Sequence, residues 1–310
     1  MTTDSRPLAP PVAPSGTQWT LQAHDQELTV VEVGGGIRSY ARGGREVLYG
    51  YPVEAKADAG RGQLLMPWPN RVRDGRFSFG GRDEQLALSE PARDNASHGL
   101  VRWANWRLVE RSADSLVVAH TLLPQQGWDW PLDLSCRYTL TETGLVVEPS
   151  ATNLGTEPAP FGFGAHPYLT AGEARVDDLQ LTLPADTVLE VDDRLIPTGQ
   201  ASVPAELDFR AGRRIEGTQL DHAFTDLAGE RWEITIAHGD RRVTLWADGT
   251  AYPFAQVFTG DSLPGDRARR TGIAVEPMTC PANALATGDS LIVLQPGERW
   301  GAPWGVREDA

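Results

Sequence analysis

Short apolar runs separated by turn residues make up most of this chain. The clearest is LDLSCRYTL, in which Leu132, Leu134, Cys136, Tyr138 and Leu140 take every second position, the period of a strand with one buried face. QELTVVEV, from Gln26, is closed by a run of glycines, and RFSFGGRDEQLAL reads as a hairpin turning at Gly80-Gly81. WRLVERSADSLVVAHTLL divides into two strands about the polar turn Ser112-Ala113-Asp114. DLQLTL, DTVLEV, RWEITIAHGDRRVTLW and DSLIVLQPGERW continue the pattern: β-branched or aromatic residues bounded by Gly, Pro or Asp. No helical period extends beyond about two turns. These elements predict an all-β protein, a single large antiparallel β-sandwich with two broad sheets packed face to face.

Composition supports that reading and narrows the partners. The chain has 310 residues, with 32 glycines and 23 prolines to serve many turns. No repeat or internal linker divides it, so residues 18–310 are expected to form one domain after a disordered Pro-rich tail at 1–17, MTTDSRPLAPPVAPSGT. A net charge of −14 argues against nucleic acid or an anionic membrane, since phosphate binding relies on clustered Lys and Arg, and favours a small neutral molecule. The two cysteines, Cys136 and Cys280, are too few for a disulfide scaffold or zinc knuckle and suit a reduced, cytoplasmic setting. No run approaches the ~18 apolar residues of a membrane helix, and the N-terminus lacks a secretory pattern. A monomer or homodimer is expected.

Candidate chemistry centres on FGFGAHPYL. His166 stands between a small residue and a proline, with glycines before it and aromatics on both sides, a local sequence suited to the mouth of a pocket. A lone histidine reads more readily as a turn or core residue bonded to a carbonyl, and the other candidates along the chain shift that balance. LLMPWPNRVRDGRF offers Asn70 and Arg71 after a rigid extended Pro-Trp-Pro segment, and NASHGLVRWANW offers His98 before a glycine. QLDHAFTDL offers Asp221, with His222 on the opposite face if the segment is a strand, and AVEPMTCP offers Glu276. Each taken singly has a bland alternative as an ion pair, a turn cap or a solvated strand end. His24, His120 and His238 fall in ordinary strand or hairpin patterns. Lys56, the chain's one lysine, sits in a polar stretch with nothing to lower its pKa, which argues against imine chemistry.

Taken together, PWPNR, the His-Gly of SHGLVR, AHPYL, LDHAF and the Glu-Pro of VEPMT resemble, in order and spacing, the motifs of the aldose 1-epimerase or galactose mutarotase family. The resemblance runs from about Gly34 to the final QPGE segment. It implies a mutarotase-like β-sandwich with an open cleft for a sugar, Glu276 as general base, His166 as general acid, and Arg71, His98 and Asp221 as substrate-binding residues, with Asn70 beside them. It also implies that no cofactor or metal is used. The residue types suit the chemistry: a proton leaves the C1 hydroxyl as another reaches the ring oxygen, and a carboxylate and an imidazolium serve these transfers near neutral pH. Trp68 and the Trp128/Trp130 pair are candidates for an apolar floor under the sugar, against the alternative of core packing. The PWPNR form resembles the free-aldose branch, which implies a free hexose such as glucose or galactose; Arg73 and Arg76 are the cationic candidates should the substrate instead carry a phosphate, although Arg-Asp-Gly there suggests a turn. Two further readings differ in class: a sugar-binding protein without turnover, and a metal enzyme using His98, His166 and Glu276, which lack the His-x-His spacing that would preorganise ligands.

Overall fold

The computed structural model describes residues 12–261, 263 and 270–309. It is almost entirely β-strand, built as two large antiparallel sheets. The first contains, in spatial order, Gln18–Ala23, Gln26–Val31, Ile37–Arg42, Arg45–Leu48, Tyr168–Leu169, Ile273–Met278, Phe254–Phe258, Asp221–Leu227, Ala185–Val191 and Pro197–Ser202. Gly164–Ala165 pairs alongside Ile273–Met278 and also with Leu64–Leu65. The second runs from Arg107–Arg111 through Ser115–Leu122, Leu132–Thr141, Gly144–Asn153, Trp304–Asp309, Arg241–Asp248, Arg231–His238 and Gln180–Thr182 to Arg213–Arg214.

The period-two run behaves as its pattern dictates. Leu132–Thr141 alternates strictly between buried and half-buried positions and pairs in full register with both neighbours. Its inward residues meet Leu28, Val30 and Tyr40 of the facing sheet in one apolar core, each large side chain contributing about 1.5–3 kcal/mol by leaving water. Buried hydroxyls keep partners: Tyr40 donates to Gln26 Oε1 at 2.7 Å and Tyr138 to the Gly35 carbonyl at 2.6 Å. The hairpin at Gly80-Gly81 is present as Arg76–Phe79 against Arg82–Gln85, and the Ser112-Ala113-Asp114 turn joins two paired strands. One expected strand, DSLIVLQPGERW, is instead two short ones, Ile292–Leu294 and Arg299–Gly301, pairing with different partners, because the Pro-Gly between them breaks the ladder. Among the described residues the α-helix is a single turn, Ala284–Thr287, and no helix is long and apolar enough to cross a membrane. The tail expected at 1–17 lies outside the described residues as far as residue 11. Thr17 donates through its backbone N–H to Glu32 Oε2 at 2.9 Å.

Candidate active site

The site forms where the first sheet's central strands meet two turns. Glu276 lies in Ile273–Met278, a strand buried at every position, opposite Gln256 of the neighbouring strand. His166 follows Gly164–Ala165, whose Gly164 pairs with both Leu65 and Met278. Its backbone is held at both polar groups, the N–H donating to the Gln63 carbonyl at 3.1 Å and the carbonyl accepting from Gly62 at 2.9 Å. The imidazole stacks on Tyr168, ring centroids 5.1 Å apart and planes 9° apart, and Tyr168 is anchored by donating to the Ala59 carbonyl. The result is a contact of 3.3 Å between His166 Nε2 and Glu276 Oε1, in a pair only 5% and 2% exposed.

The other proposed positions surround this pair. His166, Glu276, Asn70, Arg71, His98 and Asp221 all line one cavity of about 360 Å³, at the lower end of the range for small-molecule pockets. Asn70 and His98 each adopt left-handed backbone, φ 54° and 62°, and the His98 N–H donates to the Asn70 carbonyl at 2.8 Å, which pins the two turns together. The His98 ring meets His166 edge-on at 5.6 Å. A polar relay crosses the floor: Arg71 donates to Asn70 Oδ1 at 3.1 Å, Asn70 Nδ2 to Gln256 Oε1 at 3.3 Å, and Gln256 Nε2 to Asp221 Oδ1 at 2.6 Å. Sequence reasoning missed Gln256, Glu90 and Arg102, which also line the cavity. Gln256 carried a signal in retrospect, a polar residue in the apolar run FAQVF, and Arg102 closes the SHGLVR motif, whereas Glu90 lies in a segment with no distinguishing pattern.

Gly60 shows why the turn beside His166 is glycine. Its φ is +75°, and a Cβ there would come within 2.4 Å of His166 Cδ2. Electrostatics of the pair are governed by burial. Desolvation pushes His166 down to about 3 and Glu276 well above the usual carboxylate range, with Asp221 adding to the latter. Burial thus disfavours both an isolated imidazolium at His166 and an isolated carboxylate at Glu276. Desolvation, and then the charge of His166, likewise holds His98 well below its ordinary value.

The remaining sequence candidates lie as follows. Trp68, Trp128 and Trp130 do not line the cavity; they pack against one another and against Phe77 in the core, with Trp128 fully buried. The apolar lining comes from Phe258 and Leu263. Arg73 and Arg76 also point elsewhere, Arg73 to Asp192 and Arg76 to Gln85 Oε1. His222 is absent from the lining, as strand alternation after Asp221 requires. Both cysteines are buried and unpaired. Among the described residues no group of three or more His, Cys, Asp or Glu side chains is placed to hold a metal ion.

The structure is a β-sandwich carrying a buried carboxyl–imidazole pair in a polar cavity lined by hydrogen-bonding groups. The comparisons with known proteins are specific. The aldose 1-epimerase family model matches residues 17–306, and the chain belongs to that family of carbohydrate isomerases. It is 36% identical over 288 residues to YihR, an uncharacterized protein of Escherichia coli strain K12, covering 92% of this chain and 91% of that one. It is 28% identical over 261 residues to the galactose mutarotase of Homo sapiens, covering 74% and 73%. Among solved structures, a galactose mutarotase-like protein from Clostridium acetobutylicum superposes with a TM-score of 0.83 at 18% identity over 94% of both chains. The galactose 1-epimerase of Lactobacillus acidophilus superposes at 0.79 and 22%, again over 94% of both. At these identities the two superpositions speak to the fold.

Proposed function

We propose that this protein is an aldose 1-epimerase that interconverts the α and β anomers of a hexose by opening and reclosing its ring, with Glu276 and His166 moving the protons. The observation that carries this reading is the 3.3 Å contact between His166 Nε2 and Glu276 Oε1 at the cavity wall. In the forward half-reaction the Glu276 carboxylate takes the proton of the C1 hydroxyl, C1=O forms, the C1–O5 bond breaks with its electron pair going to O5, and the His166 imidazolium protonates O5. Rotation about C1–C2 and the reverse proton movements give the other anomer. The pair holds one proton throughout. After opening, that proton is on Glu276 and His166 is neutral, the distribution that burial favours, so the site is complementary to the open-chain aldehyde. Forming the reactive ion pair needs only a proton shift across the 3.3 Å contact once sugar hydroxyls are present to solvate both groups.

Asp221, Gln256, Asn70, Arg71 and His98 supply the donors and acceptors that the hydroxyls require, since each one left unpaired costs about 1–3 kcal/mol. A pure sugar binder has no use for a proton-sharing pair in its wall. The experiment is polarimetry on freshly dissolved α-D-glucose and α-D-galactose, with chelator present in a weakly catalytic buffer. Faster approach to the same final rotation supports the reading; unchanged rates with these and a wider aldose panel refute it.

A further inference from the structure

Glu90 lines the cavity, yet neither the proton-transfer pair nor the hydroxyl-binding relay uses its carboxylate. It faces Arg71 instead. Arg71 Nε donates to Glu90 Oε2 at 2.8 Å and Nη2 to Oε1 at 3.2 Å, so that one edge of the guanidinium meets both carboxylate oxygens. Nη1 donates to Asn70 Oδ1 at 3.1 Å. Of the five N–H groups of a guanidinium three are engaged in this way, which leaves one on each terminal nitrogen to meet a ligand. Glu90 is itself fixed. Its N–H donates to the Asn95 carbonyl at 2.9 Å, and its carbonyl accepts from the Asn95 N–H at 3.2 Å. Asn95 is fully buried at the start of Asn95–Ser97, the strand that pairs with Arg71–Arg73. Arg93 Nη1 donates to Glu90 Oε1 at 3.0 Å, while Arg194, in the turn between Ala185–Val191 and Pro197–Ser202, accepts from Asn95 Nδ2 and donates to the Arg93 carbonyl at 2.8 Å. The segment carrying Glu90 is thus tied both to the strand of Arg71 and to a hairpin of the first sheet. Burial alone would raise the Glu90 pKa, but the bonds and charge of Arg71, with Asn95 and Arg93, outweigh it and hold the carboxyl below its ordinary value.

We propose that Glu90 is a positioning residue for the epimerisation: it locks the Arg71 guanidinium in one plane and orientation, so that the two remaining N–H groups meet sugar oxygens without first having to be ordered. This rests on the mutarotase reading and adds to it a residue that acts on the substrate only through Arg71. A free arginine side chain populates many rotamers, and ordering it on binding would weaken affinity; a carboxylate accepting at both oxygens removes that cost beforehand. Glu90 also supplies the counter-charge for a guanidinium held in a cavity wall with 13% of its side chain exposed. An amide at this position cannot do the same. It offers a single acceptor oxygen, and its NH2 group would meet an Arg71 N–H donor to donor. Aspartate keeps both acceptors but is one methylene shorter, so it preserves only part of the pairing.

The test is a double-mutant cycle on anomer exchange of glucose and galactose, measured by NMR and corrected for the uncatalysed rates. Wild type, Glu90→Gln, Glu90→Asp, Arg71→Met and the Glu90→Gln/Arg71→Met double variant are compared, each checked for folding by a thermal melt. Loss of the aimed, charged donor should lower kcat/KM by about 10–100-fold in Glu90→Gln, mostly through KM, with a smaller loss in Glu90→Asp. In the Arg71→Met background the same Glu90→Gln change should cost less than about twofold, because the residue it positions is gone. If Glu90→Gln does not fold, Glu90→Asp is carried through the same cycle and judged by the same non-additivity. A KM within about twofold of wild type in folded Glu90→Gln overturns the proposal, as do single-variant losses that multiply in the double variant. A lowered melting temperature at unchanged KM gives Glu90 a purely structural role and overturns it too. In each of these cases the wild type still turns sugar over and the mutarotase reading stands. A folded wild type that accelerates neither sugar, nor any of a wider aldose panel, overturns that reading and this assignment with it.

Discussion

Glu276→Gln separates the catalytic role proposed for this residue from its cost to the fold. The substitution keeps the side chain's shape beside His166 but removes the group that takes up and releases a proton. A positioned acid or base contributes about 10²–10⁴-fold, equivalent to ~3–5 kcal/mol at about 1.36 kcal/mol per decade, and the epimerisation rate should fall by that factor. Sugar affinity should stay within about tenfold, as the amide still hydrogen-bonds. Stability should move the other way. Burial raises the folded-state pKa of Glu276 above its unfolded value, so its protonated form favours folding at pH below about 4.5, and that contribution is lost as pH rises through the folded-state pKa. Each unit of elevation corresponds to about 1.4 kcal/mol against the wild type at alkaline pH, a penalty the amide does not carry. Rates come from polarimetry and stabilities from urea unfolding at pH 4.5 and 8. The variant should match the wild type at the lower pH and equal or exceed it at the higher. A fully active variant, or one destabilised equally at both pH values, would refute the reasoning.

Three further outcomes are expected. Gly60→Ala places a methyl 2.4 Å from His166 Cδ2 at a left-handed position, and should cut kcat/KM by roughly 10–100-fold through displacement of the imidazole, with a smaller loss of stability visible in a thermal melt. His166, with its pKa depressed to about 3, takes up a proton below pH 6.5 only in the unfolded chain; stability should therefore fall with decreasing pH by up to about 1.4 kcal/mol per unit from this site, and His166→Asn should flatten that slope in urea titrations between pH 7 and 5. Asp221→Ala removes an acceptor of the relay and should raise KM by about 10–100-fold with a smaller change in kcat, measured by anomer exchange.

Much of the fold was legible because a sheet with one buried face writes itself into alternation, as Leu132–Thr141 does. The central strand Ile273–Met278 carries no such mark: buried on both sides and interrupted by Glu276 and Pro277, it shows no alternation that would single it out as a strand. The motif residues Asn70, Arg71, His98, His166, Asp221 and Glu276 do meet around one cavity, a convergence that no spacing rule foretells. The tryptophans stayed ambiguous in the sequence because an indole suits a core and a sugar face equally; Trp128 and Trp130 meet edge-on at 5.2 Å in the core. Arg73 and Arg76 are neighbours of the motif in sequence, but Arg73 pairs with Asp192 and Arg76, past the turn at Asp74-Gly75, with Gln85, while Arg102 lines the cavity from another segment. Nor does residue type disclose protonation, which follows from burial.

The supports of these groups differ in kind. Glu276 sits on an interior strand and His166 is clasped between paired strands, whereas Arg102 stands on a connecting segment between Asn95–Ser97 and Arg107–Arg111. Replacing a strand residue disturbs two ladders at once; replacing a residue on the connection disturbs little beyond itself. Glu276 and His166 are thus held by the sheet and Arg102 by a connection, so a substitution at Arg102 perturbs less of the strand ladder than one at either member of the pair.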